Sequence, residues 1–142
     1  MNEFIKISVP KIVYHYTTKA DAESIIANGK IYPADGCESW YSLTLDDLKT
    51  YIDLTVKNEG QAYIDFDGKI KTYGKFVPEN YVILELKPRY SDHWYRYISL
   101  LSNSFPLEQR LMLAKMDTVK ICHRGIMEFK GKTRIIDMQE IM

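Results

Sequence analysis

Four adjacent side chains, His15, Tyr16, Thr17 and Thr18, sit together in the stretch VYHYTTKADAESIIANGKIYP, residues 13–33. An imidazole donates or accepts according to its tautomer, while a phenol and a hydroxyl can do both, so the cluster forms a polar floor with varied hydrogen-bonding capacity. The chain turns there from an apolar segment straight into a helical one, which also brings the free backbone N–H groups of a first helical turn close by. A ribose or a nicotinamide carboxamide could use those groups. The plainer reading of such a histidine is a structural residue whose ring nitrogens are satisfied within the fold. His93 and His123 are read that way.

The elements that must hold this cluster follow from pattern. Residues 11–17, KIVYHYT, favour a strand through β-branched and aromatic content. Thr17 or Thr18 then caps a helix whose stripe is Ala22, Ile25 and Ile26, and Asn28-Gly29 supplies its left-handed stop. KIYPADGCES reads as a loop and SWYSLT as the next short strand. A second helix begins at a Thr44 cap, carries acidic residues in its first turn, sets Leu48, Tyr51, Ile52 and Val56 on one face and closes at Gly60. Alternation around Asp67-Gly68 predicts a hairpin, and NYVILELKP an apolar strand ending at Pro88. Residues 90–104 read either as a helix with Trp94, Tyr97, Ile98 and Leu101 inward or as an aromatic loop. FPLEQRLMLAKM is helix or strand. The tail reads as short strands split by Gly125 and by a Lys130-Gly131-Lys132 turn. The pattern predicts one α+β domain over residues 1–142, with about six short strands and two or three helices, not a doubly wound parallel sheet.

The chain has 142 residues, 46% hydrophobic, with nineteen basic side chains against nineteen acidic. A balanced charge offers no global attraction to nucleic acid or anionic membrane. No apolar run approaches the ~20 residues of a membrane span. Cys37 and Cys122 lack the spacing of a zinc site, and two free thiols fit a cytoplasmic location; no metal site is expected. Eleven Tyr, five Phe and two Trp suit half-buried strand faces and pocket walls alike.

The ordered series YHYTT, helix with terminal Gly, and SWYS resembles the opening of an ADP-ribosyltransferase of the His-Tyr-Glu class, over residues 13–44. The resemblance implies the split β-sheets of that fold and NAD as substrate. It implies that His15 holds the adenosine-side ribose, with Thr17 near the nicotinamide amide and Tyr16 beside it. It further implies that Tyr41 stacks on the nicotinamide ring, with Ser42 adjacent. The third element of the class is a glutamate that offsets positive charge on the sugar as nicotinamide leaves; Glu108 in SFPLEQRLML is the first candidate and Glu128 in GIMEFKG the second. Glu108 also reads as a first-turn helix acid, and Tyr41 as a core aromatic. The chain departs from the class at Pro106, where Glu or Gln often stands, and at Tyr16, where many relatives have Gly.

The function this implies is mono-ADP-ribosyl transfer from NAD to a protein or nucleic acid, as in small bacterial or phage-borne toxins and host-modifying factors. KPRYSDHWYRY and CHRGIMEFKGKTR interleave basic and aromatic residues in a way that would suit a nucleic-acid strand, though solvated strand edges look the same. The alternative is a module that holds NAD or a related nucleotide without turnover, or that serves in protein interaction. A phosphate-handling relative of the same fold would need Arg89, Arg96, Arg110, Arg124 and Arg134 to converge.

Overall fold

The computed structural model describes residues 2–33, 37–56, 62–64, 68–72, 74, 76–99 and 105–141. Within them lie ten strands and three α-helices, an α+β fold whose strands are split between separate antiparallel sheets. The first sheet has the order β1 (Asn2–Lys6), β8 (Trp94–Ser99), β9 (Ile121–Arg124), β4 (Glu38–Tyr41). The second runs β2 (Val13–Thr18), β7 (Tyr81–Pro88), β10 (Met127–Asp137), β3 (Lys30–Ile31). Strands β5 (Ala62–Ile64) and β6 (Ile70–Thr72) pair only with each other. This is the hairpin expected around Gly68; Asp67 lies outside the described residues.

Strand β2 places its residues alternately on two faces, as strand geometry requires. Val13 enters a core with Leu84, Leu86, Tyr41, Trp94 and Ile121, which fills the space between the two four-stranded sheets. Tyr14 and Tyr16 turn the other way, toward Leu48 and Ile52 of α2 (Leu45–Val56) and toward Ile83 and Ile136. Each fully buried Leu, Ile or Val in these layers contributes roughly 1.5–3 kcal/mol by leaving water.

The helix ends follow their caps. Thr18 Oγ1 accepts from Asp21 N at 3.2 Å to start α1 (Lys19–Asn28), and Gly29 stops it at φ 66°, donating its N–H to Ile25 O. Thr44 Oγ1 accepts from Asp47 N at 3.0 Å ahead of α2. Ile25 packs on the core but Ile26 is exposed, so the stripe of α1 is narrower than its spacing predicts. The expected close of α2 at Gly60 lies outside the described residues.

Three expectations are corrected, and one open alternative is resolved. There are more strands than six. Residues 94–99 are neither helix nor loop but strand β8, with Trp94 fully buried and Tyr95 on the opposite face. The ambiguous segment after Pro106 is helix α3, Leu107–Val119. The Lys130-Gly131-Lys132 turn is an irregularity within the continuous strand β10: its pairing to β7 shifts between Lys130 and Arg134, and Gly131 takes φ 73° there.

Candidate functional site

A cleft of about 500 Å³ opens between α1, β3, β4 and α2, with the end of β2 as its floor. His15, Tyr16, Thr17, Tyr41 and Ser42 all line it. Two sheets therefore bring together five of the residues that the sequence pattern singles out.

His15 is held by its ring nitrogen. Its Nδ1 lies 2.8 Å from Trp40 O, and because a carbonyl only accepts, Nδ1 carries the proton. Burial lowers the imidazole's proton affinity below the ordinary histidine range, partly offset by the bond to Trp40. The ring is thus neutral near pH 7 and leaves Nε2 as an acceptor. Thr17 is 9% exposed, and its hydroxyl makes no hydrogen bond among the described residues.

Tyr41 and Ser42 are already occupied. The Tyr41 ring is 2% exposed, tilted against His15 at 5.1 Å and edge-on to Trp94 at 5.2 Å, with its hydroxyl 2.8 Å from Ser39 Oγ. Desolvation raises its pKa far above the ordinary tyrosine value, so it stays a neutral phenol. Ser42 Oγ donates to Val119 O at 2.7 Å, and the Ser42 backbone bridges to Tyr14 in both directions, at 2.9 and 3.0 Å. Tyr16 packs against Tyr51, Phe76 and Tyr81.

Glu108 is not brought to this cleft. It is exposed in the first turn of α3, eleven residues before Val119, about 16 Å along the helix at the usual rise. Glu128 lines a different hollow, of about 400 Å³, with Arg89, Ser91, His93 and His123. His123 there is a satisfied buried histidine: Ser91 Oγ lies 2.9 Å from Nε2 and Gly125 O 3.1 Å from Nδ1. The carboxylates that do line the cleft are Asp21 and Glu38, the latter 3.6 Å from Arg124 Nε. The arginines serve separate partners, Arg96 on the carbonyls of Asp117 and Thr118 and Arg134 on Glu85. Among the described residues no group of three or more His, Cys, Asp or Glu is placed to hold a metal.

Sequence reasoning missed three lining or flanking groups. Trp40 precedes Tyr41 on β4, is half-buried and lines the cleft. Tyr51 of α2 was read only as core but lines the cleft. Lys120 ends α3 and sits with its ammonium 4.1 Å from the Trp40 ring centre. The SWYS alternation carried a signal for Trp40; nothing local carried one for Lys120.

No family model matches the chain, and no curated protein or solved structure matches it either. No helix among the described residues is long and apolar enough to cross a membrane.

The two buried imidazoles carry a pH dependence. Desolvation lowers both His15 and His123 below the unfolded value near 6.5. On acidification the unfolded chain binds protons that the folded one refuses. The stability they contribute is therefore present above about pH 6.5 and lost as pH falls below it. The urea midpoint is expected to drop between about pH 7 and pH 5.5, and His123→Asn to flatten that drop. A midpoint constant over this range would rule the account out.

Proposed function

We propose that the cleft binds a dinucleotide of the NAD class and that the protein belongs with the ADP-ribosyltransferases of the His-Tyr-Glu class in fold and ligand. One observation carries this: His15 and Thr17 of one sheet, Trp40 of the other and Tyr51 of α2 all line a single cleft. His15 Nε2 accepts a ribose hydroxyl, the Thr17 hydroxyl meets a carboxamide, and the aromatic rings take a base or nicotinamide face. Two free cysteines, with the Cys122 thiol pushed up to about 11 by burial, suit a reducing cytoplasm.

The second reading is turnover: nicotinamide release and mono-ADP-ribosyl transfer to a macromolecule. Asp21 and Glu38 favour it, since either carboxylate would offset positive charge on the sugar. Holding without cleavage is the better supported of the two. Glu108 lies away from the cleft, and Lys120, one step beyond the pairing of Ile121 with Tyr41, sets a cation beside Ser42. That sign opposes a developing sugar cation.

The test is calorimetric titration with NAD, run beside an assay of nicotinamide release. NAD binding without release is the expected result. Release that disappears in Glu38→Gln or Asp21→Asn would establish the transferase reading, and failure to bind NAD would remove both.

A further inference from the structure

The half-buried Lys120 ammonium lies near three rings: Trp40 at 4.1 Å, Tyr51 at 5.7 Å and Tyr97 at 5.8 Å from centroid to nitrogen. Its backbone is pinned beside Ser42, because the preceding residue, Val119, accepts the Ser42 hydroxyl. Three N–H donors on this group find no hydrogen bond or ion pair among the described residues. The carboxylate whose charge it feels, Asp117, is engaged elsewhere, accepting from Ser99 N at 2.8 Å and lying 3.4 Å from Ser99 Oγ.

Ring faces attract a cation but do not satisfy its donors. Partial burial holds the amine below the ordinary lysine range, and a half-buried charge without an ion-pair partner is stabilised by an arriving anion. Two of the three rings, Trp40 and Tyr51, line the cleft. Lys120 itself stands just behind these two lining rings, at the edge of the cleft and not in its wall. We propose that Lys120 is the anion-binding group at this edge and takes the phosphate of a phosphate-bearing ligand whose base or sugar lies in the cleft, with Trp40 as the adjoining stacking surface. This rests on the reading of the cleft as a nucleotide site and names how it would select phosphorylated over unphosphorylated ligands.

Titration of the full chain with ADP and with adenosine isolates the diphosphate. Wild type is expected to bind ADP at least tenfold more tightly than adenosine, with that margin shrinking as salt is raised. Lys120→Met keeps the apolar stem and is expected to erase the margin while leaving adenosine binding unchanged; Lys120→Arg is expected to keep most of it. Equal binding of ADP and adenosine by wild type, an ADP affinity indifferent to salt, or a Lys120→Met loss shared equally by both ligands would each overturn the proposal. The salt series needs no variant, so a poorly folding Lys120→Met leaves the test intact. NAD separates the two claims: ADP held through Lys120 with no NAD binding removes the dinucleotide reading alone. NAD held equally by wild type and Lys120→Met removes the role of Lys120 alone.

Discussion

His15→Ala is expected to bind NAD ten- to hundredfold more weakly than wild type, while Glu108→Gln binds it as wild type does. The imidazole joins two walls of the cleft, because its Nδ1–H donates to Trp40 O across from one sheet to the other. Its removal leaves that carbonyl without its side-chain partner and deletes the Nε2 acceptor offered to the ligand. Loss of a buried hydrogen-bonding partner costs about 1–3 kcal/mol, and each 1.4 kcal/mol is about tenfold in affinity. Glu108 is exposed on the first turn of α3 and touches none of this. Calorimetry on the two variants, with circular dichroism to confirm folding, checks the contrast. Equal weakening by both would mean that the ligand sits elsewhere.

The largest expected loss of stability is from Trp94→Ala, about 3–5 kcal/mol by the usual cost of truncating a buried aromatic. Trp94 is fully buried, edge-on to Tyr41 at 5.2 Å and to His123 at 4.9 Å, so a cavity there undermines both the floor of the cleft and the seat of the second hollow. Against a typical domain stability of about 5–15 kcal/mol, that is a large fraction. Trp94→Phe should lose much less, since it keeps a ring and also removes a buried indole N–H that has no partner among the described residues. Urea unfolding of the three proteins measures the order, and a Trp94→Ala midpoint close to wild type would refute it.

Local signals carried the elements that surround the cluster at residues 15–18. Thr18, Gly29 and Thr44 are punctuation with a direct physical cause, and the helices they bound stand where that punctuation puts them. Strand β8 is hidden because Trp94, Tyr97 and Ile98 share the spacing of a helix face, while its strand state rests on edge-to-edge pairing with β1 and β9, which are distant in the chain. The bend in β10 looked like a turn because Gly131 between two lysines is a turn signal until a neighbouring strand pairs on both sides of it. For the site, proximity in sequence revealed the floor but not the far wall. Lys120 meets Trp40 only through the pairing of β4 with β9, eighty residues apart in the chain, and no local rule reaches that far.

The backbone bridge between Tyr14 and Ser42 clasps strand β2 of one sheet to the segment that ends β4 of the other. Such a clasp works as a hinge pin. Parting of the strands at this joint would release two amide protons, so the exchange of those amides with deuterated water would gauge breathing between the sheets. A molecule spanning the cleft would brace the same joint, and its arrival would be legible at the Tyr14 amide, which lies outside the cleft lining.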